Sequence, residues 1–174
     1  MGSITHPKHG TPYDADSTLH PPDDPIQFLL RDHDMIRKLA ASYLDSRSAA
    51  VKKNAAAQLV QAIHTHSRLE ESVFYPGLRK IEPNLVARFE EDHLNVDDML
   101  AALDTMRFEE PRARKMMRDM IDAVLAHITE EEEVFFPLLK LANLDLSAIG
   151  FEMAVFEANL VHMQAQFGGR GVRH

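Results

Sequence analysis

Residues 66–76 of the chain read HSRLEESVFYP, and residues 127–137 read HITEEEEVFFP. Both stretches have a histidine, three residues, two glutamates, two more residues, a phenylalanine, a second aromatic residue and a proline. In an α-helix, residues i and i+4 lie one turn apart on the same face. His66 and His127 are therefore each expected beside the glutamate four residues later, and the repeated string predicts two helices that carry equivalent histidine–carboxylate pairs.

The sequence around this string predicts an all-α fold. Asp24-Pro25 is a suitable helix start, apolar residues recur at helical spacing, and no stretch predicts a β-strand. Four long helices with short connections are typical of an up-down-up-down four-helix bundle. The predicted helices cover about 25–44, 49–81, 84–107, 111–142 and 147–167. The predicted organisation is an extended, flexible arm (1–24), a bundle domain of two helical hairpins (25–142, as 25–81 and 84–142), an additional C-terminal fifth helix (143–167) and a flexible tail (168–174).

Composition narrows the classes of function. The 174 residues are 45% hydrophobic, which suits one domain with a buried core. A net charge of −8 disfavours binding to nucleic acid or to an anionic membrane, because both require basic surfaces. The chain has no cysteine, which excludes disulfides and thiolate ligands. With no 18-residue apolar run and no signal-peptide pattern at the start, we expect a cytoplasmic protein.

Two more histidines fall at the height of the repeated pairs. His33 and His93 each follow an aspartate in the strings RDHDMIRKL (31–39) and EDHLNVDDML (91–100), which align as a looser second repeat. In an antiparallel hairpin, residues equidistant from the turn lie side by side. The midpoints are residue 49.5 for His33 and His66, residue 110 for His93 and His127, and residue 81.5 for Glu70 and His93. All three midpoints fall at or beside predicted loops, so four histidines and two glutamates are expected in one layer.

Such a layer favours a metal site. A lone histidine on a helix is usually an ordinary core or surface residue, and a run such as EEEE (130–133) is usually solvated. Burying four imidazoles and two carboxylates without partners, however, would cost several kcal/mol per charge. Imidazole and carboxylate donors suit iron, manganese or zinc, with iron as the first choice. Ferritin-like bundles use Glu-x-x-His on two helices, and only Glu90 and His93 show that spacing here. The predicted ligands of a two-metal site are His33, His66, Glu70, His93, His127 and Glu131.

With these residues, the chain resembles the hemerythrin-like (HHE) cation-binding family over about residues 24–142. The matching strings are DHDMIRKL, HSRLEESVFYP, DHLNVDDML and HITEEEEVFFP. The resemblance implies a non-haem di-iron centre inside a four-helix bundle, with two carboxylates and an oxo or hydroxo group as bridges. It implies the same six ligands, and manganese or zinc as possible substitutes for iron.

The chain departs from oxygen-carrying members of the family at two positions. Those members have a second histidine four residues after the third-helix histidine, where this chain has Asp97. They also place the last carboxylate five residues after the fourth-helix histidine, where this chain has Glu132. The internal repeat pairs Glu131 with Glu70, so Glu131 is the predicted ligand. Asp97 and Glu132 are candidates for outer residues or extra ligands, with an outer or surface position favoured for Asp97, and reversible O2 transport is disfavoured.

Other polar side chains are predicted to lie outside the site. Tyr43 and Tyr75 are long enough to reach a metal as phenolates, but packing in the core is the favoured interpretation. The histidines predicted to be exposed or structural are His6, His9, His20, His64 and His162.

The resemblance leads us to expect a di-iron protein that binds or reacts with O2, peroxide or nitric oxide, or that handles labile iron in a stress response. The alternative is a non-catalytic module for oxygen or iron sensing or for oxygen storage. A third possibility is a metal-free structural bundle. Catalytic residues and oligomeric state are not assigned by the sequence.

Overall fold

The computed structural model describes residues 24–168, and every regular element in this range is helical. The all-α class predicted from the sequence is therefore confirmed. Apart from Asp24 and Gly168, the predicted arm and tail lie outside the described residues. None of the helices in the described range is long and apolar enough to cross a membrane. The α-helices are α1 (Pro25–Asp45), α2 (Ala49–Leu69), α3 (Tyr75–Leu78), α4 (Pro83–Asp104), α5 (Pro111–Glu130), α6 (Phe136–Leu141) and α7 (Ser147–Gly168).

The helices begin where the sequence offers caps and prolines. The Asp24 side chain accepts hydrogen bonds from the backbone N–H groups of Ile26, at 2.9 Å, and Gln27, at 3.4 Å, with Pro25 at the first helical position. Ser48 caps α2 in the same way through the N–H of Val51. Helices α4 and α5 both begin with proline, whose missing N–H costs nothing at this position.

The helices form two antiparallel hairpins, which pack together as a bundle. In the first hairpin α1 packs against α2, and in the second α4 packs against α5. Contacts between α1 and α5 join the two hairpins. Helix α7 lies across the first hairpin and contacts both α1 and α2. This arrangement is the predicted four-helix bundle with an additional C-terminal helix.

Two π-helical segments interrupt the long helices, and both coincide with the repeated string. The first (Glu70–Phe74) joins α2 to α3, and the second (Glu131–Phe135) joins α5 to α6. In each segment the residue before the proline donates its backbone N–H to a carbonyl five residues earlier, Tyr75 to Glu70 and Phe136 to Glu131. A proline inside a helix cannot donate to the carbonyl four residues earlier and its ring crowds that carbonyl. A locally widened turn relieves this conflict, so both helices continue through their prolines.

The core is divided into two apolar parts by a polar layer. One part is rich in aromatic residues, surrounds the π-helical segments and includes Phe74, Phe89 and Phe135. The other fills the bundle towards the α1–α2 and α4–α5 turns and includes Leu59 and Met120. The buried polar or charged residues of the described range are His33, His66, Glu70, His93, His127 and Glu131. These are the six predicted metal ligands, and the two apolar parts enclose them.

Candidate metal centre

Each helix of the two hairpins carries one histidine of the polar layer. His33 projects from α1, His66 from α2, His93 from α4 and His127 from α5. All four are at most 6% exposed, and both glutamates are fully buried. The glutamates stand at the first position of each π-helical segment, so the widened turns hold both carboxylates inside the bundle. π-Helical turns within α-helices are frequent at functional sites.

The Nε2 atoms of the four histidines converge on the two carboxylates. The distances are 3.3 Å from His33 to Glu131, 3.3 Å from His66 to Glu70, 3.3 Å from His93 to Glu70 and 3.6 Å from His127 to Glu131. Each glutamate therefore faces the histidine of its own helix and one histidine of the other hairpin. This crossed pattern makes both carboxylates suitable as bridges.

The donor atoms form two groups that could each hold a metal ion. The first group contains His33, His66, Glu70 and Glu131, and the second contains Glu70, His93 and His127. Within each group the donor atoms lie within 4.8 Å of one another. Each hairpin thus supplies one pair of histidines, and Glu70 belongs to both groups.

Several of the deeply buried donor atoms have no hydrogen-bond partner within the described residues, and a bound metal ion would supply the missing interactions, since buried polar atoms are nearly always paired. They are Nε2 of His33, both ring nitrogens of His66, both carboxylate oxygens of Glu70 and Oε2 of Glu131. All but the His66 Nδ1 atom face the centre of the layer. Coordination of cations would satisfy these inner atoms without further protein groups.

A ring of carboxylates surrounds the histidines on the outside. Each Nδ1 atom faces one acidic side chain. The distances are 2.9 Å from His33 to Glu132, 3.2 Å from His93 to Glu71, 3.3 Å from His127 to Asp92 and 3.5 Å from His66 to Asp32. The first three are hydrogen bonds, and the fourth is a longer charge contact. A carboxylate at Nδ1 favours the tautomer that presents a free Nε2 to a metal and increases its basicity.

Tyr75 brings a hydroxyl group into the layer. Its side chain is fully buried and packs on Phe89, as the core interpretation predicts. The hydroxyl donates to Oε1 of Glu131 at 2.9 Å and lies 3.3 Å from Nε2 of His127. Burial, followed by the negative charges of Glu131 and Glu70, raises the pKa of Tyr75 well above its ordinary value. In the metal-free protein the hydroxyl therefore keeps its proton and acts as a donor.

The two central carboxylates have different electrostatic surroundings. Burial, reinforced by the charge of Glu131, raises the pKa of Glu70 to about 8. Burial also acts to raise the pKa of Glu131, but the 3.3 Å contact with His33 and the charges of His127, His33 and His66 outweigh it and lower the value to about 2. Without metal, one proton is therefore held at Glu70, as expected for two like charges in a site of low dielectric constant.

The remaining predicted residues divide between the ring and the surface. Glu132 belongs to the outer ring and is held by two hydrogen bonds from Arg37, at 2.8 and 2.9 Å. Asp97 does not reach the site: its side chain is exposed, and Val96 faces the core at this height of α4. The side chains of His64 and His162 are exposed. His6, His9 and His20 lie outside the described residues.

Of the four acidic residues in the outer ring, Glu132 is a candidate from the sequence and the other three are not. Two of them, Asp32 and Asp92, directly precede His33 and His93, and Glu71 follows Glu70. The signal was present in the two repeats, because each hairpin has Asp-His on its first helix and Glu-Glu four residues after the histidine of its second helix. Asp32 and Asp92 contact the second histidine of their own hairpin, whereas Glu71 and Glu132 contact the first histidine of the other.

Comparison with known proteins supports this picture. The family model described as "Hemerythrin HHE cation binding domain" matches residues 24–139, which span the four bundle helices and both π-helical segments. A solved structure from Mycobacterium kansasii, described as a hemerythrin HHE cation binding domain-containing protein and Rv2633c homolog, is similar with a TM-score of 0.66 at 21% identity. The similarity covers 80% of this chain and 90% of that one. At this identity the likeness is one of fold. No curated protein sequence matches the chain.

Proposed function

Because the chain belongs to the hemerythrin HHE cation-binding domain family, it is a metal-binding module for which iron is the expected metal, and we propose that it holds two iron ions and reacts with peroxide, O2 or nitric oxide. The observation that supports this proposal most strongly is the group of unpartnered, buried donor atoms at the centre of the bundle. In the proposal, His33 and His66 would hold one ion, His93 and His127 would hold the other, and Glu70 and Glu131 would be shared between them.

The second donor group favours a reactive centre. Two histidines and one carboxylate form the set that non-haem Fe(II) enzymes use, and this set leaves coordination positions open. Iron bound there would supply one-electron redox chemistry. The contributions of the chain are to orient the histidines through the outer carboxylates, to keep the Tyr75 proton at Glu131, and to exclude bulk water with the two apolar parts of the core.

A small cavity beside the centre indicates the size of the reactant. It has a volume of about 10 Å³ and touches His66, His93 and His127. Its remaining lining is mainly apolar, with Ile63 and Val96 among the wall residues. A volume of about 10–15 Å³ holds roughly one water molecule. Peroxide, O2 and nitric oxide are close to this size, whereas an organic substrate is far larger.

Metal stoichiometry provides the first test. The protein is reconstituted anaerobically with Fe(II), freed of excess metal and analysed for iron, and an absorption spectrum is recorded after exposure to air. We expect two irons per chain and the charge-transfer absorption of a diferric centre. The matched variants are His66→Ala, which removes a proposed ligand, and His64→Ala, which removes an exposed histidine two residues away on the same helix. Full iron occupancy in His66→Ala would contradict the proposed site.

Turnover is tested with peroxide. Disproportionation converts two H2O2 into two H2O and one O2, so the O2 released is measured with an oxygen electrode. We expect steady O2 release by the iron-loaded protein, a loss of most of the rate in His93→Ala, and an unchanged rate in His64→Ala. If the loaded protein binds two irons but turns over neither peroxide, O2 nor nitric oxide, the alternative of a sensing or storage module takes the place of this proposal.

A further inference from the structure

A groove far from the polar layer opens at the end of the bundle where α1 ends and α5 begins. Its volume is about 440 Å³, within the range of roughly 300–1,000 Å³ that is usual for small-molecule sites. Tyr43 of α1, Ala57 of α2 and Met117 of α5 contribute to its walls, together with Phe108 from the α4–α5 connection. All four bundle helices therefore contribute to the groove, which has room for a small molecule.

The walls of the groove are apolar. Tyr43 and Met117 are 3% and 4% exposed, and the Tyr43 and Phe108 rings meet edge to face with their centroids 6.4 Å apart. Lys53 is the one charged residue among those that line the groove. Within the described part of the chain its ammonium group has neither an ion pair nor a hydrogen bond. An apolar ligand body is favoured inside the groove, and a negative group is favoured near Lys53.

Further cations surround the same tyrosine. The Lys52 ammonium lies 5.1 Å from the centre of the Tyr43 ring. Burial raises the pKa of Tyr43, and the charges of Arg118 and Arg114 act to lower it. Both guanidinium groups are therefore close enough to interact electrostatically with the Tyr43 hydroxyl. Four cations thus lie near Tyr43 or at the edge of the groove, and they favour an anionic group on a ligand held there.

From the apolar walls and the cations at the mouth, we infer that this groove binds a small amphipathic carboxylate, with an alkyl chain along Tyr43, Phe108 and Met117 and its carboxylate beside Lys53. A medium-chain fatty acid has this combination of an alkyl chain and a terminal carboxylate. The inference does not depend on the metal centre, because no proposed ligand or outer carboxylate lines the groove.

Dodecanoate is the probe for this site. It is titrated into the full chain below its micelle concentration, and binding is followed by calorimetry and by the NMR signals of 13C-labelled methionine methyl groups. We expect saturable binding with shifts at Met106 and Met117, which line the groove, and no shift at Met35, which is exposed elsewhere. Lys53→Glu should weaken binding about tenfold or more, equivalent to about 1.4 kcal/mol. Lys80→Glu makes the same change of net charge at an exposed position outside the groove and should leave binding unchanged.

Three results would overturn the inference. The first is equal binding of dodecyltrimethylammonium, which has the same chain with a positive head group. The second is unchanged dodecanoate affinity in Ala57→Trp, because this exposed position lines the groove and the indole would fill it. The third is a combination of two findings: dodecanoate does not bind, and sedimentation shows a dimer that is lost in Ala57→Trp. The groove would then be the contact surface for a second copy of the chain.

Discussion

The two hairpins of the bundle are built on the same sequence plan but provide unequal surroundings for the central carboxylates. In each hairpin the first helix carries Asp-His, and the second carries His-x3-Glu-Glu, with the two glutamates at the start of a π-helical turn. The equivalent aromatic residues contact equivalent histidines. The ring centroids of Phe136 and His33 are 5.8 Å apart, and those of Tyr75 and His93 are 5.5 Å apart. The difference between these two aromatic residues is one hydroxyl group, and that hydroxyl donates to Glu131.

The outer ring is unequal as well. Glu132 receives two hydrogen bonds from Arg37 in addition to its contact with His33. At the equivalent place, Glu71 contacts His93 and has a single, longer ion pair with Arg68, at 3.8 Å. A repeat can therefore fix the backbone and the donor atoms of a two-fold site, while single residues that differ between the two hairpins, such as Tyr75 and Arg37, give the carboxylates unequal hydrogen-bond partners.

The largest expected effect is the loss of both irons when a shared carboxylate is removed. Glu70 belongs to both donor groups, so Glu70→Ala should leave far fewer than two irons per chain, whereas His33→Ala should weaken mainly one ion. Elemental analysis after anaerobic reconstitution measures this directly. Glu133→Ala is the matched control, because Glu133 is an exposed member of the acidic run and should bind iron like the wild type. Two full-occupancy irons in Glu70→Ala would contradict the bridge.

The next effect concerns the stability of the metal-free protein as a function of pH. The pKa of Glu70 is raised to about 8 in the folded state, so the folded protein favours the protonated side chain. The contribution of Glu70 to the free energy of unfolding is therefore present near pH 4.5 and is lost as pH rises towards 8. Glu70→Gln mimics the protonated side chain. It should be as stable as the wild type near pH 4.5 and more stable by a few kcal/mol near pH 8, since one pKa unit corresponds to about 1.4 kcal/mol.

The equivalent change in the other hairpin should have the opposite sign. The pKa of Glu131 is lowered to about 2, so its ionised form stabilises the fold at neutral pH and this contribution is lost as pH falls below about 4.5. Glu131→Gln should therefore destabilise the apo protein at pH 7. Urea denaturation of verified metal-free protein from pH 4.5 to 8 measures both variants. If both variants changed the free energy of unfolding in the same direction, the two carboxylates would have similar electrostatic surroundings, which would contradict the difference between Glu70 and Glu131 in the structure.

The outer ring gives a smaller effect on metal affinity. Loss of a carboxylate behind a metal-binding histidine typically weakens binding about 10–100-fold. We expect Glu132→Ala to lie at the upper end of this range and Glu71→Ala at the lower end, because Arg37 fixes Glu132 more firmly than Arg68 fixes Glu71. Competition with an Fe(II) chelator under anaerobic conditions measures the affinities. Equal losses in the two variants would remove the proposed difference between the hairpins.

Much of this molecule was predictable because its key residues occur twice. The repeated string indicates both the helical class and the family, and the equal spacing of its histidines from the predicted loops indicates that six polar residues share one layer. The π-helical turns were not predicted, since local sequence shows a proline but not how the helix adapts to it. Asp97 occupies the position of a ligand in oxygen-carrying relatives, but its side chain is exposed. The groove beside Tyr43 depends on how the ends of four helices and a connection meet, and helical periodicity carries no information about how these ends are arranged.

The smallest expected effect tests the single hydroxyl that distinguishes the two hairpins. Tyr75→Phe makes this hairpin like the other, where Phe136 occupies the equivalent position. In the metal-free protein, Glu131 would lose a buried hydrogen-bond donor, so we expect a loss of about 1–3 kcal/mol of unfolding free energy. Phe is smaller than Tyr by only the hydroxyl, so the stacking on Phe89 should persist. Urea denaturation at pH 7 measures the change.

Phe74→Leu is the control for packing alone, because the Phe74 ring is buried against Tyr75, with centroids 6.0 Å apart. It should destabilise the protein while leaving the pH dependence of stability as in the wild type, whereas Tyr75→Phe should shift the acid loss of stability to higher pH. The sign follows from the donor, because removing a hydrogen bond to the ionised carboxylate raises the pKa of Glu131 towards its unfolded value. An unchanged acid limb in Tyr75→Phe would show that this hydroxyl does not stabilise the charge on Glu131.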